Sequence, residues 1–211
     1  AVFSSRNNTI NIATTRRQNT GDGRDILIGI ENVKGGAGND TLRGNNAANT
    51  LSGEDDDDKL YGNNGNDNLY GGNGNDIIDG GKGNDRLVGG DGADTAVFSS
   101  KNNRINLGSI RRQNTGDGRD ILIGIENING AGGNDTIRGD SDSNTFRGGS
   151  GVDKLYGLSG EDILYGQSGN DSLYGGGQDD FLYGGFGVDK LYGQAGEDIL
   201  YGGTGNDTLY G

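Results

Sequence analysis

The sequence predicts an all-β chain, a solenoid of short parallel strands built as two arrays of eighteen-residue coils joined by irregular strand-rich segments. Three observations lead there. A nine-residue pattern holds its register through sixteen units, the chain contains a duplication at an offset of 95 residues, and the composition is too poor in apolar residues for any ordinary core.

Glycine fills 46 of 211 positions and only 29% of residues are hydrophobic. Such a chain is either disordered or repetitive, and the strict spacing decides for repetition. The net charge is −13, which argues against nucleic acid or an anionic membrane surface as partner, since both are met by basic patches. It suits a cation instead. No apolar run approaches the roughly 20 residues that span a bilayer, so no transmembrane segment is expected. Without Cys there are no disulfides or thiolate sites, and without His the commonest general base and zinc ligand is missing. No catalytic residue is expected, and the chain is read as a non-enzyme. It starts in mid-pattern, Ala1-Val2-Phe3-Ser4-Ser5 matching Ala96 to Ser100, and so reads as a segment of a longer polypeptide.

The outer period is visible in the string RRQNTGDGRDILIGIEN, which occurs at 16–32 and again at 111–127. The inner period runs through Asp40, Asn49, Asp58, Asp67, Asp76, Asp85 and Asp94, then through Asp135, Asn144, Asp153, Asp162, Asp171, Asp180, Asp189, Asp198 and Asp207. Two residues after each stands an apolar residue, large in fifteen of the sixteen units and Ala96 in the other. This divides the chain into a leader at 1–34, an array of seven nonapeptides at 35–97, a linker at 98–129 that copies the leader, and an array of nine at 130–211.

One unit, GGNGNDIID at 71–79, shows the physics. Its first six residues are glycine and small polar residues, the composition of a tight turn with positive φ. Its last three form a strand whose middle residue points in and whose neighbours point out. A unit this small buries nothing alone, so units must stack, two to a coil. Turns then lie over turns. Asp153, Asp171, Asp189 and Asp207 fall in one column, and Asp162, Asp180 and Asp198 in another. Carboxylates stacked at about 5 Å repel by roughly 1 to 3 kcal/mol per pair, more than so thin a core can offset. A hard dication reverses the sign. Calcium accepts six to eight oxygens in flexible geometry, and the aspartates with the turn carbonyls can supply them. The candidate ligands are the aspartates and two asparagines of the inner period, with Gly65, Gly72, Gly74, Gly81 and Gly83 in the first array. Gly149, Gly151, Gly160, Gly169, Gly185, Gly187, Gly196, Gly203 and Gly205 complete the set in the second. If each turn pairs with the one two units on, twelve ions are the upper bound.

Residues 35–97 and 130–210 resemble the RTX (repeats-in-toxin) proteins, whose nonapeptide is G-G-x-G-x-D-x-U-x. The resemblance implies a right-handed parallel β-roll, export by a one-step (type I) system, folding on external calcium, and an extracellular or cell-surface location. Departures fall at Asn49 and Asn144, where weaker or empty sites are expected, and at Glu54 to Asp57 and Gln178, where distorted turns are expected. The function expected is a calcium-binding structural segment of a large secreted or cell-surface protein, such as an adhesin, surface layer, matrix or fibre component. Its partners would be calcium and further copies of the module. The alternative is the secretion and folding tail of an exported enzyme or toxin.

The leaders read as strands, Ala1 to Ser4, Thr9 to Ala13 and Asp25 to Ile30, continuing the solenoid as irregular coils. The Gly21-Asp22-Gly23-Arg24-Asp25 turn and its copy, with Asp117 and Asp120, are candidates for one further ion each. Arg16-Arg17 and Arg111-Arg112 read as counter-charges to the acidic turns. All nine tyrosines take the last position of a unit and should face outward in ladders, to stiffen the sheet or to offer an aromatic surface.

Overall fold

Strands of three to six residues per array unit suffice because those inside the stack have partners directly above and below. In the computed structural model, which describes residues 1–3, 6–21 and 23–211, strands are the only regular structure. Ser4, at the end of the first expected strand, and Asp22, in the expected leader turn, lie outside the described residues. Among the described residues no helix is long and apolar enough to cross a membrane. The parallel sheets stack as a β-solenoid.

Two compact units are present, Ala1–Val97 with Asp117–Ile125, and Phe98–Gly116 with Glu126–Gly211. In the first unit one sheet runs through Thr9–Asn11, Thr41–Arg43, Lys59–Tyr61, Ile77–Asp79 and Thr95–Val97. The other runs through Asn32–Gly36, Thr50–Asp55, Asn68–Asn73, Arg86–Asp91 and Arg119–Ile123. In the second unit one sheet runs through Asn127–Asn129, Thr145–Ser150, Ile163–Ser168, Phe181–Phe186 and Ile199–Thr204. Its companion runs through Arg104–Asn106, Thr136–Arg138, Lys154–Ser159, Ser172–Gly177, Lys190–Ala195 and Thr208–Tyr210.

Within the arrays the register steps by 18 residues, as in Thr41↔Lys59 and Lys154↔Ser172. The leaders join the same ladders with longer excursions. Thr9 pairs with Thr41 and Arg104 with Thr136, each 32 residues on, and Arg86 pairs with Ile121, 35 residues on. The two 32-residue excursions are each fastened by a glutamine, Gln18 accepting the Asn11 N–H at 2.6 Å and Gln113 accepting that of Asn106 at 2.5 Å.

The core is the inward ladder. Leu42, Leu60, Ile78 and Ala96 on one side of the first unit, and Leu51, Leu69 and Leu87 on the other, are fully buried. So are Ile137, Leu155, Leu173 and Leu191 in the second unit, facing Phe146, Leu164 and Leu182. A buried leucine contributes about 2 kcal/mol, and Ile10, Val33, Ile105, Leu122, Ile125 and Ile128 extend the buried ladders into the leader segments.

The departures from glycine do not reshape the turns. Glu54, Asp56 and Gln178 keep φ values of 90, 73 and 77°, in the left-handed region that glycine occupies in neighbouring units. Leu158, Gln167 and Gln194 do the same at the second turn position. Strand pairing passes through them, Glu54↔Gly72 and Leu158↔Gly176. The stack imposes the conformation, and a side chain there costs about 1 kcal/mol. Leu158→Gly is therefore expected to raise stability by at most about 0.5 kcal/mol once the freer unfolded chain is subtracted, read as a slightly higher melting temperature in calcium.

The tyrosines face outward, but their two ladders in the second unit differ. Tyr156, Tyr174, Tyr192 and Tyr210 stack with ring centroids 4.8, 4.8 and 5.0 Å apart and planes within 7°. Tyr165 and Tyr183 lie 6.4 Å apart at 58°. The neighbouring row explains the difference. It is Lys154, Ser172 and Lys190 beside the first ladder, and Ile163, Phe181 and Ile199 beside the second. The Phe181 ring contacts Tyr165 and Tyr201 at 6.0 and 5.7 Å and tilts the tyrosines apart.

Candidate metal centre

Each aspartate of the period sits at the end of a turn, just before the strand, where stacking sets it over its equivalent one coil away. Its Oδ1 accepts the backbone N–H of the aspartate in the preceding coil. In the first unit this runs Asn8 to Asp40, Asp40 to Asp58, Asp58 to Asp76 and Asp76 to Asp94, at 2.6 to 2.8 Å. On the other edge it runs Asn49 to Asp67, Asp67 to Asp85 and Asp85 to Asp120, at 2.7 to 2.8 Å. The second unit repeats it from Asn103 through Asp135, Asp153, Asp171 and Asp189 to Asp207. Its other column runs from Asn144 through Asp162 and Asp180 to Asp198.

The second carboxylate oxygen is the unusual one. Oδ2 of Asp58, Asp76, Asp153, Asp171 and Asp180, among others, is buried and accepts no hydrogen bond. It lies against the first glycine of its own unit. A methyl group on Gly71 would overlap Asp76 Oδ2 and come within 2.8 Å of the Gly89 carbonyl oxygen. The same holds at Gly157, with Asp162 Oδ2 and the Gly175 carbonyl 2.7 Å away. Glycine is required there because the carboxylate takes the volume of a β-carbon. Two acceptors, a carboxylate oxygen and a carbonyl oxygen of the next coil, thus converge with no donor between them. Leaving a buried acceptor so costs about 1 to 3 kcal/mol, more when it is charged.

Burial acts on the acidity of these groups. It pushes Asp58, Asp85 and Asp171 up to about 7, with the aspartates above and below adding to the effect. It pushes Asp67, Asp76, Asp135, Asp162 and Asp180 up to about 6, in part opposed by the N–H each accepts. A column in this state holds protons or a metal ion, since buried neighbouring charges are otherwise too costly.

Among the described residues no three His, Cys, Asp or Glu side chains cluster as a ligand set, so a shell here would draw on other oxygens, the turn carbonyls nearest among them. That donor set, all oxygen with few charges, fits calcium. The glycines predicted as ligands at the second and fourth turn positions have positive φ, as at Gly72, Gly74, Gly185 and Gly187. Their α-carbons rest on carbonyls of the coil before, Gly72 on Glu54 and Gly187 on Gly169. Oxygens that approach Asp Oδ2 also come from the first position, as at Gly89 and Gly175, which the sequence reading did not name.

It also passed over Asn8 and Asn103, which cap two columns. Each is buried, and its amide nitrogen donates to the next aspartate at 2.9 Å. The triplets Asn8-Thr9-Ile10 and Asn103-Arg104-Ile105 carry the same polar-x-apolar spacing as the units and could have marked them. A second ladder runs one residue earlier and in the opposite sense. Asp57 Oδ1 accepts the Asn75 N–H and Asn75 Oδ1 that of Ala93, at 2.8 and 2.9 Å. Asn134 and Asn170 serve Val152 and Val188 in the same way.

The leader copies part company here. Asp120 joins the first unit's column, whereas Asp25, its equivalent, accepts the Thr20 hydroxyl at 2.5 Å.

A family model for the RTX calcium-binding nonapeptide repeat, in four copies, matches residues 28–60, 61–96, 122–155, 156–191 and 183–211. No curated protein matches the chain. Repeats of this kind bind calcium, form a structural module and not a catalytic fold, and are typical of secreted proteins. With the stacked turns and the family match in agreement over most of its length, the chain belongs to the RTX calcium-binding nonapeptide repeat family.

Proposed function

We propose that this chain is a structural segment of a large secreted or cell-surface protein, an adhesin, matrix or fibre component, that folds outside the cell as calcium binds. The observation that carries this reading is the set of buried, unpartnered Oδ2 atoms at successive turns. The aspartates of the columns hold the ions through Oδ2, and the turn carbonyls, those of the first-position glycines foremost, complete each shell. The ion supplies the positive charge that lets carboxylates stack. The asparagines at 49 and 144 supply no charge, so sites there are weaker.

Self-association is supported by one face of the second unit. Ile163, Ile199, Tyr183, Tyr201 and Phe186 are exposed by 38, 52, 40, 55 and 69% on a single sheet. An apolar stripe of this kind marks an interaction surface. In millimolar calcium, sedimentation velocity is expected to show assemblies, and Phe181→Ser with Ile199→Ser is expected to return them to monomer while the calcium-induced circular dichroism signal persists. A compact monomer at all concentrations would remove the fibre reading and favour a spacer or secretion tail.

A further inference from the structure

The opposite face of the second unit has a different chemistry. Its outer surface is two rows of side chains whose order follows from the strand register. One row reads Arg104, Thr136, Lys154, Ser172, Lys190 and Thr208. Cation and hydroxyl alternate at every strand. The other row reads Asn106, Arg138 and then the stacked tyrosines from Tyr156 to Tyr210. Neither row holds an acid, although the chain as a whole carries a charge of −13.

The four cations are exposed. Among the described residues none of them forms an ion pair, and Arg138 lies over the Tyr156 ring at 5.2 Å from its centroid. Among the described residues the other sheet faces lack this pattern. The other face of the same unit has Ile163, Phe181 and Ile199 in the corresponding row. In the first unit Thr9 stands where Arg104 does in the copy, and Asp79 follows Tyr61 in the outer row.

We propose that this face binds an extended acidic polysaccharide carrying a carboxylate on every second sugar. Parallel strands fix the spacing. Arg104, Lys154 and Lys190 occupy alternate strands, so neighbouring charges lie about 9 to 10 Å apart along a straight row. A pyranose in an extended chain advances about one strand spacing. Alternating acidic and neutral sugars laid along the stack therefore set a carboxylate over each cation and a neutral ring over Thr136 and Ser172.

The tyrosines flank this track in a specific way. Their rings cover one another's faces, at 4.8 Å and within 5° for the first two pairs. They present edges and a row of hydroxyls, suited to hydrogen bonding with sugar hydroxyls and not to stacking under a base. A nucleic-acid strand, charged at every residue, does not share this alternation and would find the stacked ring faces covered.

The test is fluorescence anisotropy with the full chain in calcium, using labelled hyaluronan oligosaccharide as the alternating uronate. Short oligogalacturonate, charged at every sugar, neutral dextran and single-stranded DNA serve as competitors. Hyaluronan should bind and weaken with salt. Replacing Arg104, Lys154 and Lys190 together by Gln should cost about tenfold or more in affinity. Arg147→Gln, which removes one charge from the other face, should leave affinity unchanged. The calcium-induced circular dichroism signal of the triple variant reports that it still folds. Absence of hyaluronan binding, equal affinity of the triple variant, or competition by oligogalacturonate or DNA at equal or higher affinity would each overturn the proposal.

Discussion

Chelating calcium at neutral pH is expected to unfold both arrays, and acidifying the chelated protein below about 6 is expected to fold them again without the metal. The reason lies in what the columns can tolerate. The aspartates have an ordinary value of 3.8, which burial pushes up to about 6 at Asp67 and Asp162 and about 7 at Asp58 and Asp171. A carboxyl whose value is raised by folding stabilises the fold only while protonated. That contribution is whole below 3.8 and is lost as pH rises through about 6 to about 7. At neutral pH the metal-free columns therefore hold ionised, desolvated neighbours, and the thin leucine core does not compensate. Calcium reverses the slope, because it binds the ionised form and displaces protons. Within the window the apparent calcium affinity should fall about tenfold per pH unit for each proton displaced. Far-ultraviolet circular dichroism in chelator, scanned over pH, decides it. A coil spectrum that persists on acidification would mean that carboxylate repulsion is not what keeps the metal-free chain open.

The parts of this architecture that repeat were legible in the sequence, because a period of nine fixes both the strand and the residue above it. Asp153 over Asp171 and Leu155 over Leu173 follow from spacing alone. What spacing did not show is what depends on a neighbouring coil. The string RRQNTGDGRDILIGIEN has two structures in one chain. In its second copy Arg119–Ile123 is a strand against Arg86–Asp91, with Leu122 buried. In its first copy the same residues give only the two-residue strand Arg24–Asp25, and Ile26 and Ile28 are exposed. The second copy's strand is held by pairing with Arg86–Asp91, and no local propensity distinguishes the two copies. The approach of the first-position carbonyls to Asp Oδ2 was not legible for a similar reason, since which way a peptide oxygen points is set by the coil it rests on. The charge alternation from Arg104 to Lys190 was hidden too. It has a period of two coils and is interrupted by the 32-residue excursion between Arg104 and Thr136.

Asp171→Asn is expected to shift two midpoints in ways that Asp171→Ala cannot reproduce. Asp171 Oδ1 accepts the Asp153 N–H, and its own N–H donates to Asp189 Oδ1, both at 2.8 Å. Asparagine keeps that acceptor and removes the charge. The chain already tolerates asparagine in a column, since Asn144 has its N–H on Asp162 Oδ1 at 2.7 Å and its amide nitrogen on the Glu126 carbonyl at 3.1 Å, although its own Oδ1 accepts the Asp140 N–H of the same turn. In chelator the variant lacks one member of a repelling set, so the pH at which the metal-free fold opens should move upward. In calcium the two turns that share Asp171 lose a carboxylate, so the calcium midpoint should rise by about tenfold or more. Alanine removes the acceptor as well and strands the buried Asp153 N–H at a cost of about 1 to 3 kcal/mol. It should therefore lower the opening pH and raise the calcium midpoint together. If asparagine and alanine gave the same pair of shifts, the hydrogen-bond ladder would be irrelevant to the column. If asparagine left the calcium midpoint where it was, Asp171 would not hold the metal. Opposite movement of the opening pH in the two variants separates the two tasks that one carboxylate performs, one oxygen fixing the coil above and the other meeting the ion.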